Sequence, residues 1–335
     1  MLSEKIKAKA ALLGYTACGI IPAVAFDEFL NELEERSILY PESKQYYDDL
    51  KRLASLPENS KSIIVCTQRY NRYKVPKDVA PYYGKMYLFD NRVAYTEEHR
   101  VNTEFQTYLN LLGINIIRIS LPHRWAGARA GLGKFGRNNF LYDDKHGSYI
   151  IINTFLVDKE LDYDAMPENT RMSACNDNCH KCIEACPTSA LCGKFKMDMG
   201  KCICHVQFDE EKALSDELKG KLGVWIYGCD ACQDVCPANK DKFVELEEYP
   251  LLSEFEELMK PERILEMDED TYKKVLNPRF WYSGEDNLWL WKCNALRSMI
   301  NSGDRKYYDM IKNSCENKDD RIKDIAKWGC EKLGI

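Results

Sequence analysis

The sequence contains no apolar run that approaches the length of a membrane span, and it has no excess of positive charge. Lys and Arg number 47 against 53 Asp and Glu, a formal net charge of −6, so bulk electrostatics do not advertise a nucleic-acid binder, although a local basic face is compatible with that total. An uninterrupted apolar leader is also missing. Three lysines precede "AALLGYTACGIIPAVAF", but Gly14, Tyr15, Thr16 and Pro22 break the run, while Ile6, Ala10 and Leu13 follow helical spacing. The expectation is therefore the first helix of a cytoplasmic protein, not a signal peptide.

Cysteine is the residue in surplus. Of fifteen, ten fall between Cys175 and Cys236. An odd total and tight clustering argue against a secreted disulfide framework and for metal ligation in a reducing compartment. Cys18, Cys66, Cys293, Cys315 and Cys330 lie apart among apolar neighbours and are expected to be small buried hydrophobes.

Along the chain, residues 3–14 read as an amphipathic helix, "CGIIPA" as a short strand, and the stretch to about Leu56 as polar and aromatic helix. "SIIVCTQ" (Ser62–Gln68) is a second strand. A Tyr-, Arg- and Lys-rich segment from Tyr70 to Tyr95, with prolines at 76 and 81, reads as a long irregular loop of the kind that carries function. A helix closed by Gly113 follows, then the strands "INIIRIS" and Tyr149–Val157. Strands separated by helices indicate an α/β layer (α+β in connectivity) over residues 1–165, the cysteine block occupies 166–245, and a mostly helical region fills 246–335. The acidic segment after Cys236 is expected to be helical. Between Leu288 and Ile335 there are ten Lys or Arg against seven Asp or Glu.

A cubane iron–sulfur cluster needs four thiolates converging on one small object, and Cys-x-x-Cys spacings bring several from one tight turn. In the two-cluster ferredoxin run C-x2-C-x2-C-x3-C-P the fourth cysteine ligates the other cluster. Cys179, Cys182 and Cys186 with Pro187 match that run, while Cys175 sits one residue too early, with Asn176 in the expected place. The second half is Cys229, Cys232 and Cys236 with Pro237, its remaining ligand drawn from "KCICH", most simply Cys202, with Cys204 the alternative. By the crossover rule one [4Fe–4S] cluster takes Cys175, Cys179, Cys182 and Cys236, and the other takes Cys202, Cys229, Cys232 and Cys186. Zinc also uses paired Cys-x-x-Cys motifs; the two C-x3-C-P closures favour iron–sulfur.

A bare electron carrier would not need so large a domain ahead of its clusters. Within that domain, "RAGLGKFGRNN" has Gly131, Gly133 and Gly136 where backbone could approach a large flat or phosphate-bearing ligand. A dinucleotide fingerprint would directly follow a strand, and the preceding "LPHRWAGA" reads as loop or helix. The alternative is a glycine turn that packs helix against sheet.

Taken in order, the "RAGLGKFGRNN…KHGSY" segment, the C…C-x2-C-x3-C-P-T motif, "KCI", "YGCDACQDVCPAN" and a short helical tail resemble the epoxyqueuosine reductases over nearly the whole chain. That family resembles the reductive dehalogenases. The resemblance implies a nitroreductase-like domain binding base-off cobalamin, a ferredoxin-like domain with two [4Fe–4S] clusters, and a HEAT-like helical tail whose basic surface could contact RNA phosphates. It implies removal of the epoxide oxygen from a tRNA wobble nucleoside, fed by a low-potential donor such as ferredoxin or flavodoxin. It places Arg129, Ala130, Gly131, Leu132, Gly133, Gly136, Arg137 and Asn138 against the corrin. The chain has no D-x-H-x-x-G, the usual mark of a histidine lower ligand to cobalt, which agrees with base-off binding.

One departure concerns the acid. The family carries an aspartate, its proton donor, about twelve residues before the "RAGLG" arginine. Here Ile117 stands there, and no carboxylate lies between Ile114 and Arg129. Expulsion of oxygen needs a positioned acid; the candidates are Tyr82, Tyr83, Asp90, Tyr95 and His123. Alternatives to tRNA epoxide reduction are therefore a corrinoid reductase acting on another organic substrate, as the dehalogenases do, and an electron-transfer protein serving a separate corrinoid protein.

Overall fold

The structure, a computed structural model, describes residues 1–209 and 214–335. Helix α1 (Leu2–Leu13) buries Ile6 and Ala10, one turn apart, and ends where Gly14 takes φ 102°, a conformation that a Cβ would oppose. Strand β1 (Ala17–Pro22), helices α2 (Asp27–Leu39) and α3 (Lys44–Leu50), and strand β2 (Ser62–Arg69) follow. After a long irregular segment holding α4 (Lys85–Leu88) come α5 (Glu97–Leu111), β3 (Ile116–Ile117), α6 (His123–Arg129), the hairpin β4 (Lys134–Phe135) and β5 (Leu141–Tyr142), and β6 (Ile150–Val157). The Thr96 side chain caps α5 by accepting the His99 N–H, and α5 buries Val101, Phe105 and Leu109 at helical spacing.

The sheet order is β1-β2-β6-β3, antiparallel throughout, so the alternation of strands and helices resolves into the α+β form. Central β2 is buried on both faces. Ile63 and Val65 pack with Trp125, Ala126, Phe135 and Leu141, while Ile64 and Cys66 pack with Ile6, Phe105 and Leu109. Each fully buried large side chain contributes roughly 1.5–3 kcal/mol, and together these clamp α6 and the following glycine-rich hairpin onto one face. Of the expected strand "INIIRIS" only Ile116 and Ile117 pair, with Val157 and Leu156. Beyond them Pro122 starts α6, its carbonyl accepting the Trp125 and Ala126 N–H groups, and this pulls residues 118–121 off the sheet.

The cysteine segment carries α7 (Lys181–Glu184), the hairpin β7 (Leu191–Gly193) and β8 (Lys196–Met197), then α8 (Ile203–Val206), α9 (Asp216–Lys221) and α10 (Ala231–Asp234). The acidic stretch after it is short helices rather than a long one: α11 (Leu252–Phe255), α12 (Pro261–Glu266) and α13 (Glu269–Thr271), then a wide turn in which the Asn277 N–H reaches back to the Tyr272 carbonyl at 2.8 Å. Pro250 precedes α11 and Pro261 opens α12, so neither helix can extend backward. The tail is α14 (Leu288–Ser302), α15 (Tyr308–Ser314) and α16 (Asp320–Leu333). One hydrophobic cluster draws Tyr70 and Tyr149, Ile226 and Tyr227, and Tyr272 and Trp291 together, so the three sequence segments share a core. Among the scattered cysteines, Cys66 and Cys293 are buried as expected, but Cys18, Cys315 and Cys330 are only partly so, and the Cys315 and Cys330 sulfurs lie 3.5 Å apart.

Candidate active site

The two halves of the cysteine segment repeat one local design. Cys182 lies on α7 and Cys232 on α10, each a single helical turn ending in Cys-Pro (Cys186-Pro187, Cys236-Pro237), and the two turns pack on one another. Burial and the nearby sulfurs of Cys175, Cys236 and Cys179 push the Cys182 thiol up to about 11. Burial pushes Cys229 up to about 12, with Cys202 and Cys186 among its charged neighbours, and Cys232 lies close to Cys229 and Cys202. The sulfurs thus gather into two groups, each taking one cysteine from the opposite half. Crowded, buried thiols of this kind become thiolates only if positive charge sits among them, which suits a metal cluster. Among the described residues no three His, Cys, Asp or Glu side chains form a site for a single metal ion, whereas a cubane spreads its thiolates around a larger body.

Donors aim at these sulfurs. The Arg137 N–H points to Cys175 Sγ at 3.3 Å, and the Tyr142 hydroxyl hydrogen-bonds the Cys236 sulfur while accepting from Asn138 Nδ2 at 2.9 Å. Cys204 hydrogen-bonds Cys202, holding Cys202 below and Cys204 well above the usual thiol range, and its own sulfur lies 3.6 Å from the Cys229 carbonyl.

A cavity of about 580 Å³ lies against this segment. Cys186, Cys202, Cys204, Cys229 and Cys232 line one side of it, and apolar side chains of α2, α3 and α6, among them Leu33, Leu50 and Trp125, line the other. A second cleft of about 720 Å³ runs along β6 and the 116–120 segment. The two share Met86, His123, Arg124, Phe140 and Tyr282. His123, whose side chain is exposed in the cleft, has Nδ1 3.0 Å from Thr154 Oγ1; the protein packed around the ring and the Arg92 and Arg124 charges lower its pKa, so the ring is neutral at pH 7.

Of the expected acids, only His123 reaches a cavity. Tyr83 is buried against Phe280 and Trp291 and donates to the Met259 carbonyl at 2.8 Å. Tyr82 hydrogen-bonds Tyr307, Asp90 is held by Arg92, and the Tyr95 hydroxyl accepts from Arg279 Nη1 at 2.8 Å. All four line neither cavity, because the 70–95 segment docks on the C-terminal helices.

The glycine-rich segment also departs from expectation. Arg129, 6% exposed, donates to the Val24 and Ala25 carbonyls, pairs with Glu28 and lies over Phe26, away from the cavities. Ala130 abuts Gly19, Gly133 lies against the Tyr142 carbonyl, and a Cβ on Gly136 would meet Tyr142 Cε2 at 2.4 Å. Gly131, with φ 70°, turns the chain out of α6, and Leu132 packs into the core. The Arg137 guanidinium bonds the Asp177 carbonyl. These seven residues pack helix, hairpin and cysteine loop together; of the eight, Asn138 alone lines a cavity, and it also donates to the Cys232 carbonyl at 3.2 Å. The cleft residues that sequence reasoning missed, Arg92, Arg118, Phe140 and Tyr282, come from four separate segments and form no local pattern.

Comparison with known proteins agrees with this arrangement. Residues 174–239 match the 4Fe-4S double cluster binding domain. An epoxyqueuosine reductase of Leadbetterella byssophila is 31% identical over 250 residues, covering 71% of this chain and 80% of that one. One from Cellulophaga algicola is 29% identical over 293 residues, covering 82% and 90%. In fold, the chain is similar to an epoxyqueuosine reductase crystallised with an epoxyqueuosine-modified tRNA-Tyr stem loop (TM-score 0.81, 23% identity, 100% of this chain and 90% of that one). It is similar too to the Bacillus subtilis enzyme with its catalytic loop swung out of the active site (TM-score 0.81, 23% identity, 99% and 90%). On the extent and identity of these matches, the chain belongs to the epoxyqueuosine reductase family.

Proposed function

We propose that this chain, an oxidoreductase whose family cofactors are two [4Fe–4S] clusters and cobalamin, reductively removes the epoxide oxygen from a tRNA wobble nucleoside. The observation that carries the reading is the pair of cavities: one is walled by thiols of the cluster segment, and it shares His123, Arg124 and Phe140 with a second cleft large enough for a nucleoside. In this reading Cys175, Cys179, Cys182 and Cys236 hold one cluster, Cys186, Cys202, Cys229 and Cys232 hold the other, and Asn138 meets the corrin. When bound, these cofactors supply a strongly nucleophilic low-valent metal centre and the one-electron steps that regenerate it.

The chain's own part is binding, shielding and proton handling. Leu33, Leu50 and Trp125 exclude water from the first cavity, and the Arg137 N–H and Tyr142 hydroxyl stabilise charged sulfur. Converting an epoxide to an alkene consumes two electrons and two protons, breaks both C–O bonds and releases water, so the departing oxygen must meet a donor. Ile117 stands where the family has its aspartate, and among the described residues no carboxylate lines the second cleft. In this reading Nδ1 accepts from Thr154 Oγ1, neutral His123 keeps a proton on Nε2 and offers that N–H as a hydrogen bond to the departing oxygen, whose two protons come from solvent. Electrons come from a low-potential cytoplasmic carrier such as ferredoxin or flavodoxin.

The test is anaerobic reconstitution, a visible spectrum with and without cobalamin, and incubation with an epoxyqueuosine-bearing stem loop under a low-potential reductant. About eight irons per chain, a cobalamin-dependent spectral change and loss of one oxygen mass from the RNA are expected. Full iron without cobalamin binding would make the chain an electron-transfer protein. The acid-free cleft favours a second reading, in which the cofactors are kept and a different C–O or C–halogen bond is cleaved; cobalamin binding with untouched RNA would select it.

A further inference from the structure

The second cleft carries a charge opposite to that of the molecule. The chain has six more acidic than basic residues, yet Arg92, Arg118 and Arg124 line this cleft together with His99 and His123, and among the described residues no Asp or Glu does. Arg92 is pinned: Asp90, buried behind it, accepts from its Nε at 2.8 Å and its Nη2 at 2.6 Å, and the guanidinium lies 4.0 Å from the Trp281 ring centre and 4.8 Å from that of Tyr282. Asp90 offsets the Arg92 charge, so Arg92 acts mainly as a fixed planar surface. Trp281 and Tyr282 are themselves stacked, with ring centres 4.6 Å apart and planes at 13°, and they remain 41% and 38% exposed.

Arg118 and Arg124 differ from Arg92. Among the described residues neither has an ion-pair partner, and Arg124 lies over the Phe140 ring at 4.6 Å. Two guanidinium groups without ion-pair partners line one cleft, and no carboxylate is among its described lining residues, a setting that suits an oxyanion. The cleft is lined by none of the cluster-segment cysteines, which face the first cavity instead.

We propose that this cleft binds a nucleotide through its phosphate, with Arg118 and Arg124 as the phosphate-binding residues and the Arg92–Tyr282–Trp281 stack as the wall for its base. The proposal rests on the reading above, since it names the part of the substrate that the acid-free cleft holds. It assigns the phosphate to the substrate, with Arg118 on the side away from the thiols and Arg124 on the wall that the two cavities share.

Isothermal titration of the reconstituted, cobalamin-loaded protein with guanosine 5′-monophosphate and with guanosine tests it. A charge-assisted hydrogen bond to phosphate makes the monophosphate bind about ten- to a hundredfold more tightly. In R118M/R124M that ratio falls to about one while iron content stays as in the parent, and R118M alone, at a residue that does not line the first cavity, lowers the ratio with the visible spectrum unchanged. A ratio near one in the parent, or an unchanged ratio in the double variant, overturns the proposal. Titrating corrinoid-free protein with cobalamin and with cobinamide, which lacks the nucleotide phosphate, separates the sources. A preference for cobalamin that vanishes in R118M/R124M would give the cleft to the cofactor's phosphate and overturn its assignment to substrate. If the stem loop is not deoxygenated but the monophosphate ratio holds, the substrate reading fails and the phosphate site stands; turnover with a ratio of one means the reverse.

Discussion

At Cys175 the chain departs by one residue from ferredoxin spacing, and Asn176 absorbs the difference. Its side chain accepts the Asn178 N–H at 3.1 Å and its carbonyl accepts the Cys179 N–H at 3.0 Å, a local turn that holds the extra residue. Upstream, Phe135 and Ala174 are tied by a backbone bond of 2.8 Å, which sets Cys175 beside the Arg137 N–H. Cys175→Ala is therefore expected to lose one cluster and keep about four irons per chain; full iron content on analysis would remove Cys175 from the ligand set. Tyr142 allows a finer probe. Tyr142→Phe removes the hydroxyl donor to the Cys236 sulfur, and because such a bond favours the more negative reduced cluster, one midpoint potential moves to more negative values in an EPR-monitored redox titration. An unchanged potential would mean that this hydroxyl does not act on the cluster.

Among the elements, α6 supplies His123 and Arg124 to the wall shared by the two cavities, and His123 ties that wall to β6 through Thr154. The sign of its pH effect follows from its lowered pKa. Below about 6.5 the unfolded chain takes up a proton more readily than the folded one, so stability rises with pH through that region, by a small amount because the exposed ring is screened by solvent. His123→Asn should slightly flatten the dependence of melting temperature on pH in this range; parallel curves for the two proteins would contradict the lowered pKa. The same stretch shows where legibility stops. Helix α6, strand β6 and the glycine turn are local patterns and can be read from periodicity, but "INIIRIS" has the alternation of a full strand and pairs over two residues only, because Pro122 starts a helix that needs the chain off the sheet. A β-propensity cannot register that competing demand.

For the molecule as a whole, the helical tail is part of the machinery's support. Arg297 on α14, 1% exposed, donates to the Trp225 carbonyl at 2.8 Å and the Gly223 carbonyl at 3.4 Å, just ahead of Cys229. Burial lowers its pKa to about 10, still charged at neutral pH. Arg297→Ala removes one of two donors to each carbonyl, Gln207 and Asn301 remaining, and empties a fully buried volume, and should cost about 2 kcal/mol or more, read as a lower melting temperature together with faster iron release under chelator. Iron release at the parent rate would mean that the tail is only a cap.

Some of this protein was written in local sequence. The clustering and spacing of ten cysteines, the two Cys-Pro closures and the glycine turn are set by neighbours a few residues apart, so their chemistry can be read without a fold. The strands and helices of the first 165 residues and the expected crossing of the cluster ligands rest on the same short-range rules. The cavities did not. Phe29, His123, Cys202 and Tyr282 line one cavity from positions spread over most of the chain, and long-range packing alone decides that Arg129 faces inward to Glu28 while Arg124 lines the cavities. Side chains on one helix cannot be told apart by sequence when their destinations depend on which surface that helix buries, and that choice belongs to the tertiary structure.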